Sequence, residues 1–164
     1  MQIQLGETLI YPHHGAVTVT ALESRYQNGV ETQYMTVEVH TSKLTIQLPL
    51  ANVGLVGVRA VIDARGVANV YQVLLNEFVE EEGTWARRFK GNQEKMASGN
   101  IFRVSEVVRD LWYRDQEKGL SAGERHMQEK ARQVLVSELA LAQNVTENEA
   151  SDALTSVLES GAIA

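Results

Sequence analysis

The chain contains no cysteine, which excludes disulfides and thiolate metal sites and suits a reducing compartment. No apolar run approaches membrane-spanning length. The opening residues, Met1 to Gly6, have neither the basic nor the apolar region of a secretory signal. The expectation is a cytoplasmic protein with no membrane partner. A glycine-rich phosphate loop, an H-E-x-x-H pair and a G-x-S-x-G elbow are all missing. So are internal repeats and low-complexity segments. Ser121–Glu124 and Thr146–Glu149 have capping-box spacing and read as helix starts rather than catalytic dyads. No catalytic residue, cofactor or small-molecule substrate is expected, and the chain is not read as an enzyme. His13 and His14 are adjacent, but strand neighbours point to opposite faces and no third ligand stands at a suitable spacing. His40 and His126 are isolated. Tyr11-Pro-His-His-Gly15 therefore reads as a turn, and no metal site is expected.

What is present is enough for folding. The 164 residues are 44% hydrophobic, which allows one ordinary domain or two small ones. The net charge of -6 excludes a general DNA coat, so any nucleic-acid contact must come from a local, salt-sensitive patch.

Residues 8 to 48 have strand patterning. Thr8–Tyr11 and the β-branched run Ala16–Leu22 lead to Gln27-Asn28-Gly29, and Asn-Gly is the strongest short hairpin signal. From Val30 to Val39 the residues Tyr34, Thr36 and Glu38 alternate with Met35, Val37 and Val39. A second turn near Thr41–Lys43 precedes Leu44, Ile46 and Leu48, and Pro49 ends the ladder. Four or five short strands in about fifty residues predict a small SH3- or Tudor-like β barrel. Such a barrel has edges but no catalytic constellation, and an exposed edge can pair with a partner's strand. Arg25, just before the hairpin turn, reads either as a charged contact or as a solvated turn residue.

After Pro49 the period shifts from two to about 3.6, the helical value. Residues 53–66, with Gly54, Gly57 and Gly66, read as a connector. Helices are predicted over Val67–Leu75, from Thr84 to Ser98-Gly99, from Asn100 to before Gly119, from Ser121 to about Gln143, and from Thr146 onward. The fold class is thus α+β in two domains, a barrel followed by a compact helical bundle. Trp112 and Tyr113 read as packing residues, and the balanced charges from Arg109 to Lys118 as a solvated face.

The stretch that asks most for an explanation is Thr84-Trp-Ala-Arg-Arg-Phe-Lys90, entered through a charged, turn-like run with Glu77, Glu80, Glu81, Glu82 and Gly83. Trp85 sits at the lip of a helix, with Arg87, Arg88 and Lys90 close behind. From Trp85 to Arg103 the positives are Arg87, Arg88, Lys90, Lys95 and Arg103, against Glu94 alone, while Arg125 and Lys130 read either as an extension of the basic surface or as part of a mixed-charge face. One reading packs the indole on Phe89 and leaves the cations solvated. The other makes the segment a wedge for a nucleic-acid minor groove, with the cations on phosphates.

The order of these parts resembles the CarD/CdnL family of bacterial transcription regulators. Gly6-Glu-Thr-Leu-Ile-Tyr-Pro-His-His-Gly15 is similar to the opening of that family's N-terminal module, which transcription-repair coupling factors share. Trp85–Lys90, Lys95–Gly99, Val107–Trp112, Gly119–Glu124 and Lys130–Ala140 resemble the helical domain of actinobacterial members. The resemblance implies an RNA polymerase-interacting barrel over residues 1–52 and, after the connector at 53–66, a DNA-binding helical domain over 67–164. Its expected partners are the polymerase β subunit and promoter DNA at the upstream edge of the transcription bubble. Trp85 would be the minor-groove wedge that stabilises the open promoter complex, with Arg87, Arg88 and Lys90 on the backbone. Arg25 corresponds to a polymerase contact, and Gln47 stands where close relatives commonly carry an arginine. A protein-only adaptor, with Trp85 as its interface anchor, is the second reading. Nothing in the chain resembles a long coiled-coil seam, and a monomer is expected.

Overall fold

The computed structural model describes residues 2–76 and 83–163. The acidic entry read at Glu77, Glu80, Glu81 and Glu82 lies outside the described residues. The chain divides into two compact units, residues 1–61 and 62–164.

In the first unit an antiparallel sheet is built from β1 (Thr8–Tyr11), β2 (Gly15–Gln27), β3 (Val30–Val39), β4 (Thr45–Pro49) and β5 (Arg59–Ala60). Their order is β4-β3-β2-β1-β5. The β2–β3 hairpin turns on Asn28 and Gly29 at φ 52° and 76°, the positive values that a type I′ turn requires and that Asn-Gly supplies at low cost. Leu9, Val17, Val19, Met35, Val37, Val39 and Leu48 form the core with Val53 and Val58. The last two come from the stretch read as a connector. A 3-10 turn (Leu50–Asn52) leads into that stretch, which carries α1 (Val53–Val56) and β5, and β5 pairs with β1 at Leu9↔Ala60 and Ile10↔Arg59. A two-residue strand has no legible period, so sequence patterning could not find it.

One irregularity sets what the sheet shows to solvent. Between Val19 and Ala21 the β2–β3 register shifts by a bulge. Before it, Val17 and Val19 point into the core. After it, Leu22 opposes buried Met35, so Ala21, Glu23 and Arg25 fall on the other face with their partners Thr36, Tyr34 and Thr32. A strand's side chains alternate strictly, so without the extra residue Arg25 would point to the core side.

The second unit consists of α2 (Ala64–Leu75), α3 (Trp85–Ala97), α4 (Ile101–Glu117), α5 (Ala122–Gln143) and α6 (Glu147–Ile163). Its core joins Val70 and Leu74 of α2 to Val104, Val107, Val108 and Leu111 of α4, Leu135 and Leu139 of α5, and Leu154 and Leu158 of α6. Helix starts follow the side chains that cap them. Asp63 accepts from the Gly66 N–H, Thr84 from Arg87, Asn100 from Phe102, and Ser121 from Glu124. Thr146 accepts from the Glu149 N–H at 3.1 Å, and the Glu149 carboxylate accepts from the Thr146 hydroxyl at 3.0 Å. Helix α2 begins three residues before the expected Val67, because Gly66 serves packing rather than helix breaking. A Cβ there would stand 2.8 Å from the Ile62 Cβ. Glu138, only 2% exposed, accepts the Ile62 N–H at 3.0 Å and ties the start of this unit to α5. Leu139→Ala is expected to destabilise the bundle by about 2–5 kcal/mol, read as a lowered denaturation midpoint with unchanged slope.

Two details differ from the sequence reading. Arg109, Asp110, Arg114 and Asp115 are partly buried ion-pair members rather than a solvated face, with Arg109 Nε 2.8 Å from Asp110 Oδ1 and Arg125 Nη2 3.6 Å from Asp115 Oδ1. Burial raises the Asp110 pKa despite the opposing bond and charge of Arg109. Lys95 is likewise engaged, 3.1 Å from Glu106. No helix among the described residues is long and apolar enough to cross a membrane. No group of three or more histidines and carboxylates among them is placed to hold a metal ion.

Candidate functional site

Two sets of side chains stand out, one in each unit. In the first unit they gather on the outward face set by the bulge. Arg25 Nη2 donates to Glu23 Oε1 at 2.8 Å and to Gln47 Oε1 at 3.0 Å. Its guanidinium carbon lies 4.5 Å from the Tyr34 ring centroid, within cation–π reach. The cluster thus spans three strands, and β4, which carries Gln47, ends the sheet order. The structure brings Arg25 and Gln47 together although they are 22 residues apart in sequence. An arginine at 47 could not accept the bond that Gln47 accepts, since a guanidinium has donors only. Glu23 and Tyr34 were not singled out from the sequence. Their part is visible only once the register is known.

In the second unit the organising group is the indole of Trp85, the first residue of α3. It is 43% exposed, so it is neither sunk in the core nor loose in solvent. One face stacks on Phe89, with ring centroids 4.9 Å apart and planes 13° from parallel. Its Nε1–H donates to Ser121 Oγ at 3.2 Å and Glu124 Oε1 at 3.1 Å. These are the two residues of the α5 capping box. The ring pair lies over the first turn of α5, where a Cβ at Gly123 would stand 3.4 Å from Phe89 Cε2 and 3.9 Å from Trp85 Cζ2. Trp85 is thus packed on Phe89, as the packing reading expects, and is also partly exposed.

The expected cations separate into two kinds. Arg87 and Lys90 are exposed on the outer side of α3. Arg88 is half-buried and turns back, donating from Nη1 to the Gly83 carbonyl at 2.9 Å. Arg125, next to Glu124 in α5, is exposed but shares its charge with Asp115. The helical period gives this division. Thr84 caps the start of α3, and with 3.6 residues per turn Arg88 and Phe89 fall on the half-buried side, with Trp85 stacked on Phe89, while 87 and 90 fall on the exposed side.

Glu124 is 5% exposed, and its second oxygen lies 3.3 Å from Arg114 Nε. Burial alone would raise its pKa. The Ser121 N–H and hydroxyl, the Trp85 indole and the Arg114 charge together hold it below the ordinary glutamate value. A depressed folded-state pKa contributes stability that is fully present above the unfolded value and is lost as pH falls through the folded one. The stability difference between the parent protein and Glu124→Gln, followed by thermal melting, is therefore expected to shrink as pH is lowered from neutral through the carboxylate range. A pH-independent difference would contradict this.

Both units match a known family. Residues 3–62 match the CarD-like/TRCF RID domain, and residues 69–155 match the CarD C-terminal domain. The chain belongs to the CarD family. The two CarD matches occur in the expected order and together take in most of the sequence. A Bacillus subtilis (strain 168) protein named "Putative transcription factor YdeB" is 30% identical over 146 residues, 89% of this chain and 95% of that protein. The solution structure of the N-terminal domain of Myxococcus xanthus CarD aligns at 24% identity and a TM-score of 0.31, covering 36% of this chain and 79% of that domain. The CarD family is one of transcription regulators that act through RNA polymerase, and both of its modules are present here.

Proposed function

We propose that this CarD-family protein docks through its N-terminal unit on the β subunit of bacterial RNA polymerase and stabilises the open promoter complex by setting Trp85 into the minor groove at the upstream edge of the bubble. The observation that carries this reading is the state of the Trp85 ring: 43% exposed, supported on one face, and fixed by its N–H. A ring held this way can offer apolar surface to an unstacked step without first losing rotamer freedom. Arg87 and Lys90 stand on the same helix to meet phosphates, with Arg88 and Arg125 as further cations once their internal contacts exchange. Arg25 is the charged contact of the docking face. Gln47 serves that face through Arg25, whose bond it accepts.

The energetics are coherent. A patch touching a few phosphates binds DNA weakly and without sequence preference, with Kd on the order of 10⁻⁴ to 10⁻⁶ M at physiological salt. Tethering by a polymerase-bound module makes that contact intramolecular, at an effective concentration of roughly millimolar. Inserting an apolar ring into closed duplex costs a few kcal/mol of unstacking. At the fork of a bubble the step is already open, so insertion there is less costly. The wedge therefore favours the melted promoter, by about tenfold for each 1.4 kcal/mol of difference. No nucleotide hydrolysis and no base code are needed.

The test is promoter melting by polymerase with and without this protein, at several salt concentrations. A larger melted fraction that falls steeply with salt is expected. The same melted fraction with and without the protein, together with salt-independent binding, would favour the protein-only adaptor instead.

A further inference from the structure

The capping box of α5 has a geometry that helix capping alone does not need. In a capping box the serine hydroxyl accepts one orphan N–H and the glutamate carboxylate accepts the other. Both bonds are made here: Glu124 N–H to Ser121 Oγ at 3.2 Å and Ser121 N–H to Glu124 Oε1 at 3.2 Å. The same two oxygens also receive the Trp85 N–H, from a residue 36 and 39 positions away in sequence. Glu124 is 5% exposed, whereas a capping glutamate on a helix end ordinarily stands in water. Its other oxygen faces Arg114 of α4 at 3.3 Å. Three helices thus meet at one carboxylate, and what that carboxylate holds outward is the indole.

We infer that Ser121 and Glu124 are positioning residues for Trp85, a clamp that uses the start of α5 to fix the indole in the orientation presented to DNA. The inference rests on the wedge reading above for its consequence in transcription, but the clamp itself is a property of the free protein. Phe89 closes one face of the ring, and the capping box fixes the ring's rotation. With these contacts made, Trp85 is still 43% exposed. Without the clamp the indole would still be present and still exposed, but spread over several rotamers, of which only some can enter a groove. Arg114 of α4 pairs with the second Glu124 oxygen at 3.3 Å, so the contacts run without a break from α4 to the exposed ring.

The test uses the full-length protein in a Trp112→Phe background, so that Trp85 is the single emitter. Glu124→Ala is expected to red-shift its emission and lower its anisotropy, and to shorten the open-complex lifetime about three- to tenfold. Glu124→Gln keeps an acceptor oxygen and should restore most of both. Ser121→Gly removes one acceptor at little cost to the helix start. It should move both readouts the same way by a smaller factor, which covers the case in which Glu124→Ala does not fold. In a Trp85→Ala background the Glu124 and Ser121 changes should alter lifetime less than twofold. Unchanged emission and anisotropy in the folded Glu124 and Ser121 variants would overturn the clamp. So would equal lifetime losses with and without Trp85, which would mark a role in stability alone. Should Trp85→Ala itself leave lifetime unchanged, the wedge reading fails instead, and the fluorescence decides the clamp separately.

Discussion

Trp85→Ala is expected to shorten the lifetime of the open promoter complex by roughly tenfold while leaving polymerase binding intact. Stacking of an aromatic side chain on a base is worth about 1–3 kcal/mol by alanine substitution. Most of that difference should appear in the rate of bubble collapse, since the contact exists only in the melted state. The fold should tolerate the change, because the ring is 43% exposed and the bundle core closes without it. The measurement is decay of the open complex after challenge with a competitor, in parallel with binding to polymerase. Equal decay rates for variant and parent would remove the wedge from the account.

Arg25→Glu is expected to act at the other end of the molecule. The guanidinium now lies among the Glu23 carboxylate, the Gln47 amide and the Tyr34 ring. Reversing its sign places two carboxylates two residues apart on one outward face and turns a basic contact acidic. Juxtaposed like charges at an interface cost several kcal/mol, so affinity for the polymerase β subunit should fall by at least about tenfold. Open-complex stabilisation should fall with it at limiting protein and return at high concentration, which Trp85→Ala would not do. Unchanged affinity for polymerase would mean that the docking contact lies elsewhere on the sheet.

The two variants also show where the sequence was legible. Trp85, Arg87 and Lys90 could be placed from the Thr84 cap and the helical period, because capping and 3.6-residue phase are local properties. The Asn28-Gly29 hairpin was equally readable, since its two positive φ angles select their residues. The face on which Arg25 lies was not. It depends on the bulge between Val19 and Ala21, and no residue type announces a bulge there. The strand β5 escaped for want of length, and the start of α2 because Gly66 resembles a breaker when read without Ile62 beside it. Ser121 and Glu124 were read as caps, and they are caps. Their second role depends on a tryptophan that only tertiary packing brings near. Arg88 and Lys95 looked like free cations in the sequence, yet each is engaged by a neighbour, Gly83 or Glu106. A charge run in sequence counts cations but does not say which of them the fold has already used.

By linkage, a ligand that favours the melted promoter must bind the melted promoter more tightly, by the same factor. The most direct measurement compares the affinity of this protein for polymerase bound to a matched promoter with its affinity for polymerase bound to a promoter pre-melted at the upstream edge by mismatches. Tighter binding to the pre-melted complex is predicted, by the factor through which the protein raises the melting equilibrium, with Trp85→Ala reducing both factors toward one. Equal affinity for the two complexes would contradict the account.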